Sequence, residues 1–495
     1  VTDLLGTSKI RKLWAVTGAG PGAGDFGVHN CDKDNLLRGV YERVLYRVVD
    51  GVARPPPTPA VGVFDELLGG VRSRIVREVP LCRPFTLAQV VEMYEGRRKE
   101  IYRRASLSLS ARPLTLSDAF VSTFTKCEKI NFRTKKDPAP RVIQPRSPRF
   151  NVMIARYLKR LEKKLADGIA EVWGGTTIMK GLNAEGVGAA MAQMWGEFKD
   201  PVAIPLDATR FDQHVSAQAL EWEHSVYEAC YDRKDRTKLH KLLEMQLANR
   251  GFGRVGNCKL DYEVVGRRMS GDINTGMGNC LLMCAMLLKF RDDMRVKMRL
   301  ANNGDDCVLV VERRDLWVEA EIAPHMLRFG FPVVVEPSVD VLEAVSFCQT
   351  HPVYDGARWL MMRDPRICID KDLCTVLDMS NLGAVRKWAH AIGTCGLAMT
   401  AGLPVMSAFY EMLVRHGVKG NVMDSPWMDG GFKQMAAGLS RNHMVIPAAA
   451  RVSFWRAFGI LPDMQLAMEE SYTRMELNFS AGVSESPLSY LPTVW

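Results

Sequence analysis

The sequence predicts an α+β fold, a sheet-based core carrying helical flanks. Three observations support this. Helical and strand-like segments alternate without the regular strand–helix–strand repeat of a parallel sheet. A β-hairpin is legible around Gly304-Asp305-Asp306. There Arg295-Val296-Lys297-Met298-Arg299-Leu300 alternates charged and apolar residues, Ala301-Asn302-Asn303-Gly304 is turn chemistry, and Cys307-Val308-Leu309-Val310-Val311 is a short apolar strand. Finally, 47% hydrophobic residues over a length of 495 is the content of a globular protein, too long for one compact core, so roughly two to four subdomains are expected.

The elements follow in order. Residues 1 to 60 are rich in glycine and proline (Gly18-Ala19-Gly20-Pro21-Gly22-Ala23-Gly24, then Pro55-Pro56-Pro57) and read as loops and linkers. The glycine run has no strand before it and no Lys-Ser or Lys-Thr after it, so it is not a phosphate-binding loop. Phe64 to Tyr102 reads as helical, with an arginine-rich face (Arg72, Arg74, Arg77, Arg97, Arg98), and Tyr157 to Ala166 as a charged helix. Val202 to Leu206 is a strand ending at Asp207. Ser216 to Tyr231 and Lys234 to Asn249 are helices, the second closed by Arg250-Gly251. Gly278 to Arg291 is a strongly apolar helix. After the hairpin come a helix (Leu316 to Phe329), a strand (Pro332 to Glu336), a short hairpin near Phe347 and a mostly helical remainder.

Charge is concentrated rather than spread. Residues 97 to 164 hold 19 Lys and Arg against 5 Asp and Glu, in a chain of net charge +9, so the remainder is mildly acidic. Such a stretch points to a polyanion track. The 12 cysteines show no C-x-x-C spacing, and several (Cys280, Cys284, Cys307) lie in apolar runs. They read as reduced core residues of a cytosolic protein, which argues against a disulfide scaffold or a zinc site. Trp388 to Tyr410 lacks formal charge, but its glycines, Pro404 and hydroxyl residues make it a poor membrane span; it reads as buried helices. No signal peptide is visible. The first residue is Val1 rather than Met, which leaves open a fragment, a processed product or the downstream part of a longer protein, with any membrane anchor outside it.

Two acids on a tight turn cost desolvation and repel each other unless a cation neutralises them. Asp305 and Asp306 therefore read as candidate divalent-metal ligands. A second acid, Asp207, stands at a strand end, and Asp212 follows five residues later. Asp207 and Asp305 on neighbouring strands could share two metals for in-line nucleotidyl transfer. The alternative is a turn-capping Asp207 and a surface Asp212. Ser270-Gly271-Asp272-Ile273-Asn274-Thr275-Gly276-Met277-Gly278-Asn279 leads directly into the apolar helix. Thr275 and Asn279, four apart, share one helix face and could bond a ribose 2′-hydroxyl beside Asp212; an ordinary polar loop with a helix cap is the other reading.

These elements, in this order and spacing, resemble the viral RNA-dependent RNA polymerases. Asp207 to Asp212 matches motif A, Ser270 to Asn279 motif B (S-G-x-x-x-T-x-x-x-N) and Gly304 to Asp306 motif C. Lys126-Cys127-Glu128-Lys129, Lys135-Lys136 and Arg141-Val142-Ile143-Gln144-Pro145-Arg146 look like the basic fingertip segment, motif F. Phe347-Cys348-Gln349-Thr350-His351-Pro352-Val353 looks like motif E of the tombusvirus family and related positive-strand RNA plant viruses, whose replicases Phe26-Gly27-Val28-His29-Asn30 also resembles.

The resemblance implies a right-hand fold with an antiparallel palm sheet and mostly helical fingers and thumb. Residues 1–105 would form an N-terminal extension and fingertip region, 106–200 the fingers with the basic motif, 201–225 and 265–355 the palm, 226–264 a fingers insertion and 356–495 a helical thumb. It implies Asp207, Asp305 and Asp306 as catalytic metal-binding residues for two Mg²⁺ ions, with Mn²⁺ able to substitute. Lys126, Lys129, Lys136, Arg141, Asp212, Ser270, Thr275 and Asn279 fall at nucleotide-binding positions, and Lys135, Arg146, Gly271, Phe347, Cys348 and Gln349 at RNA-binding ones. The implied partners are NTPs, a single-stranded RNA template, the nascent RNA, an auxiliary viral replication protein and, through other segments, host membranes. The setting would be a membrane-associated complex in the host cytoplasm, with initiation de novo.

One departure stands out. No lysine occurs between Gly304 and Asp370, where such polymerases often carry a motif D lysine that protonates pyrophosphate. His325, Arg328 or water are the substitutes; arginine is a poor acid, and His325 otherwise reads as a helix-surface residue. The rivals are a reverse transcriptase, disfavoured by the Asp212/Asn279 pair and by the glycine before Asp305-Asp306, and a non-catalytic RNA-binding scaffold, which has no reason to keep every acid.

Overall fold

The computed structural model describes residues 10–16, 25–256, 258–378, 380–420, 430–441, 444–477, 479 and 483–485. At its centre lies a four-stranded antiparallel sheet, ordered Met298–Asn303, Asp306–Glu312, Pro201–Asp207, Val334–Val335. Both faces are covered, which is why its central strands read as continuous apolar runs. Ile204, Leu206, Cys307, Leu309 and Val311 point into one core, filled by the helices Val63–Glu78, Pro148–Trp173, Ala217–Ala229 and Thr275–Met294. Ala203, Val308 and Val310 point into the other, beneath the helices Ala184–Gly196, Leu382–Thr400 and Met406–His416 and the hairpin Thr350–Tyr354/Trp359–Arg363.

The hairpin is found one step tighter than its sequence suggests: Asn302 and Asn303 belong to the strand, and Gly304-Asp305 alone makes the turn, Gly304 at φ +81°. The expected strand end at Asp207 is observed. The segment Trp388 to Tyr410 is buried in a pair of helices. Gly393 and Gly396 let them close up, since a Cβ at Gly393 would lie 2.8 Å from the Tyr410 carbonyl oxygen and one at Gly396 would enter the Tyr410 ring. No helix among the described residues is long and apolar enough to cross a membrane, and none of the 12 cysteines is in a disulfide.

Three expectations are corrected. The helix anticipated from Lys234 to Asn249 ends at Glu244, and Ala248–Val255 is a strand paired along its length with Cys258–Val265. The glycines there are packing positions, not a helix stop: the Tyr262 ring lies over Gly251, and Leu36 and the Thr123 carbonyl crowd Gly253. This hairpin, with Val121–Thr125 and Val142–Ile143, makes a second four-stranded sheet. Residues 1 to 60 are not all linker. Lys33–Val40 is a helix running into a π-type turn, Tyr41–Leu45, and it buries Leu36, Val40 and Val44 against the second sheet; the glycine run at 18 to 24 lies outside the described residues. Phe64 to Tyr102 falls into three helices, Val63–Glu78, Leu87–Glu92 and Gly96–Ala111.

Candidate active site

The antiparallel register sets Asp306 directly opposite Asp207. Opposed residues of paired strands share a face with their Cβ atoms about 5 Å apart, so two carboxylates stand side by side at the ends of the two central strands. Asp305 projects from the adjoining turn. The three acids line a cleft of ≈ 220 Å³ together with Glu336, Ser346, Cys348 and Gln349. Little compensates them. Asp306 accepts the Cys348 backbone N–H at 3.1 Å, yet withdrawal from water, and then the charges of Asp305 and Asp207, push its pKa up to about 6. Asp305 is raised as well, by withdrawal from water and by repulsion from Asp212 and Asp207, against a smaller pull from Arg141.

Asp212 is built differently. Arg210 adopts a left-handed conformation (φ +50°), held by a hydrogen bond from Nη1 to the Glu42 carbonyl at 2.6 Å, and starts the short helix Phe211–His214. Asp212 then accepts from Ser270 Oγ at 2.6 Å and Asn279 Nδ2 at 2.8 Å. Asn279 is itself fixed, its Oδ1 accepting from Arg268 Nε at 3.0 Å. Behind it a buried Arg268–Glu223 ion pair is ringed by Tyr227, Asn274 and, through Asn274, Gln246. A Cβ at Gly304 would stand 3.7 Å from Asn279 Cβ, so the acidic turn rests on this wall.

The structure therefore unites Asp207, Asp212, Ser270, Asn279, Asp305 and Asp306. Lys126 and Arg141 flank Glu128, at 2.9 and 3.4 Å, and the Arg141 charge reaches Asp305. Lys135 and Lys136 are exposed on the same basic segment. Gln349 is exposed beside the acids, in a turn where Cys348 and Gln349 both take positive φ, +51° and +60°.

Other expected contacts are corrected. Lys129 does not face the cleft: its Nζ donates to the carbonyls of Lys371 at 2.8 Å and Cys374 at 2.9 Å, at the C-terminal end of helix Pro365–Asp372, and burial lowers its pKa. Arg146 is buried. It bonds Asp272 at 2.5 Å, Asn249 at 2.6 Å and the Ala119 carbonyl at 2.6 Å, which anchors the Ser270–Asn279 segment rather than RNA. Gly271, by contrast, stays exposed; its φ of +146° and the 2.8 Å that would separate a Cβ there from the Gln144 carbonyl carbon require glycine. Thr275 Oγ1 turns back to the Met269 carbonyl at 2.9 Å and does not join Asn279 at Asp212. Phe347 is a core residue, 2% exposed. His325 is neither a surface residue nor near the acids. It lies between Phe290 and Phe329, its Nε2 2.9 Å from the Met286 carbonyl, and burial lowers its pKa.

Glu223, Arg268, Asn274 and Glu336 were missed. Their partners are remote in sequence, and no local pattern marks them.

Residues 2–480 match a family described as viral RNA dependent RNA polymerase. The chain is 41% identical over 484 residues to the RNA-directed RNA polymerase of Turnip crinkle virus, covering 96% of this chain and 61% of the relative. It is 41% identical over 471 residues to that of Melon necrotic spot virus (94% and 59%) and 42% identical over 467 residues to that of Maize chlorotic mottle virus (94% and 48%). It thus spans about half to three-fifths of these relatives' lengths. Matches of this reach and identity make the chain a member of the viral RNA dependent RNA polymerase family.

Proposed function

We propose that this chain is an RNA-dependent RNA polymerase module of a positive-strand RNA virus, joining NTPs to an RNA 3′-hydroxyl under the direction of an RNA template. The observation that carries the reading is the opposition of Asp207 and Asp306 beside Asp305, abutting a wall that presents Asp212, Ser270 and Asn279. The central sheet would be the palm, the second sheet and the basic segment the fingers, and the helices after 356 the thumb.

The uncompensated acids fit divalent cations: Asp305 and Asp306 both have raised pKa values, which a cation would relieve. No three Asp, Glu, His or Cys residues among the described ones close on a single point, so substrate phosphate would complete the coordination. Asp207, Asp305 and Asp306 would hold Mg²⁺ or Mn²⁺, two ions in this reading, which would stabilise charge developing on the transferring phosphoryl group. Asp212, oriented by Ser270 and Asn279, would accept the ribose 2′-hydroxyl. A site built to bond that hydroxyl rejects a sugar lacking it because its polar groups stay unpaired. Lys126, Lys136 and Arg141 would neutralise the triphosphate. With His325 buried elsewhere and no lysine between Gly304 and Asp370, we assign protonation of pyrophosphate to water. Chains would begin de novo, and attachment to a membrane-bound replication complex in the host cytoplasm would fall to an auxiliary viral protein and other segments.

The test is purified protein with a defined RNA template and labelled NTPs or dNTPs, with and without primer. Template-dependent RNA product that needs a divalent metal and disappears in Asp305→Asn supports the reading. RNA binding without synthesis would indicate the scaffold, and equal use of dNTPs the reverse transcriptase.

A further inference from the structure

Thr177 to Met179 runs beside Met298–Asn303 and adds a single bridge to the central sheet. Ile178 bridges Asn302, the Met179 N–H donates to the Asn302 carbonyl at 2.8 Å, and the Asn302 N–H donates to the Thr177 carbonyl at 2.9 Å. This added edge lies opposite the Val334–Val335 edge. Its backbone is braced from behind, where Gln434 Nε2 donates to the Gly181 carbonyl at 3.0 Å and Asn183 Nδ2 to the Ala437 carbonyl at 2.9 Å. The next residue along, Lys180, is exposed.

The Lys180 side chain does not trail into solvent. It lies across Gly276 in the first turn of helix Thr275–Met294: a Cβ on Gly276 would meet Nζ, would come 2.5 Å from Cε and would sit 3.2 Å from Cδ. Gly276 has an ordinary helical φ, so the backbone does not require glycine there. What the missing side chain provides is a seat for Lys180. The Lys180 charge also reaches the buried Cys280 thiol, whose Sγ accepts the Gly304 N–H at 3.2 Å at the base of the catalytic turn. Lys180 shares the rim of a ≈ 430 Å³ cavity with Asn303, Cys348 and Gln349. Two other cations line it: Arg363 is held by Asp372 at 2.6 Å, and Lys371 stands in the last turn of helix Pro365–Asp372. Lys180 has no carboxylate partner among the described residues, although its cavity shares Cys348 and Gln349 with the acidic cleft.

We propose that Lys180 contacts a backbone phosphodiester of the RNA duplex at the growing end, a role that rests on the polymerase reading above. A lysine laid on a rigid seat, beside acids yet paired with none, is a cation kept for a mobile polyanion. Lys180 lines the cavity with the hairpin Thr350–Tyr354/Trp359–Arg363 and is not part of the Lys126–Arg141 segment assigned to the triphosphate, so we assign it to RNA and not to the incoming nucleotide.

The test compares wild type with Lys180→Met on a primed template, titrating RNA affinity, NTP KM and the salt slope. Each measurement is repeated with a single neutral methylphosphonate walked along either strand. We expect affinity to fall roughly three- to tenfold, the salt slope to drop by about 0.7–0.9, NTP KM to stay within twofold, and the loss caused by one particular methylphosphonate to vanish in the variant. That linkage, in the nascent or the template strand, identifies the phosphate. Additive losses at every linkage, or a raised NTP KM with RNA affinity unchanged, would overturn the assignment. Wild-type synthesis alongside an unaffected variant would remove Lys180 and leave the polymerase reading intact. A Lys180→Arg variant that retains the affected linkage excludes misfolding as the cause.

Discussion

The cleft has two walls, and they treat their acids in opposite ways. Asp212 is satisfied: Ser270 and Asn279 donate to it, and a buried network fixes those donors. Asp207, Asp305 and Asp306 face one another with few donors, and the pKa values of Asp305 and Asp306 rise. A satisfied acid is a fixed template for recognising a shape, while a crowded, unsatisfied set stores repulsion that only a cation or a proton relieves. One wall should therefore govern choice of sugar, and the other should govern turnover and metal dependence.

The most severe way to break the acidic wall is Asp305→Asn or Asp207→Asn. Either should lower single-nucleotide addition by at least about a thousandfold while RNA affinity stays near wild type, because charge stabilisation worth several kcal/mol is lost. Elongation at the wild-type rate would remove the metal assignment.

On the opposite wall, Glu223→Gln leaves Arg268 buried without its partner and should cost about 3–5 kcal/mol in denaturant unfolding. The paired variant Glu223→Leu/Arg268→Met should recover part of that loss. A single variant as stable as wild type would show that the network does not hold the wall.

Asn279→Ala keeps Asp212 charged but loosens it. The NTP/dNTP ratio of kcat/KM should narrow roughly tenfold to a hundredfold. Parallel loss on both substrates would make this wall structural only.

Asp306 separates metal binding from folding. Its pKa rises from 3.8 in the unfolded chain to about 6 in the fold, so the fold favours the protonated form. That stabilisation is fully present below about pH 4 and is lost as the pH climbs through 6. At pH 8 in EDTA, Asp306→Asn should thus melt higher than wild type by about 2 °C, and added Mg²⁺ should stabilise wild type more than the variant. A lower melting temperature in EDTA would mean that the carboxylate is not repelled.

His325 belongs to neither wall and serves as the control. His325→Gln should leave kcat and its pH profile unchanged and cost about 1 kcal/mol of stability through the bond to the Met286 carbonyl. A lowered kcat would return it to the chemistry.

Much of this was legible in the chain itself. Apolar runs bounded by turn residues located the central strands, and an acid placed just beyond such a run stands at a strand end whatever surrounds it; Asp207 could be placed for that reason, whereas Asp306, expected on the turn, opens the next strand. The four-residue spacing of Thr275 and Asn279 was half right: Asn279 faces Asp212, while Thr275 turns back to the Met269 carbonyl. The error at Ala248–Val255 came from glycines read as a helix stop when they were gaps for the Tyr262 ring and Leu36, atoms supplied by distant residues.

What only the tertiary structure decided is which charges are free. Lys126, Lys129, Arg141 and Arg146 look alike in a basic stretch. Yet Arg141 is exposed, Lys129 is bonded to carbonyls more than 240 positions away, and Arg146 is buried against Asp272. Lys180 drew no notice in the sequence, and the fold set it on Gly276 beside the catalytic turn. The physical reason is that periodicity and turn chemistry act over a few residues, whereas desolvation and pairing depend on whatever the folded chain brings within a few ångströms.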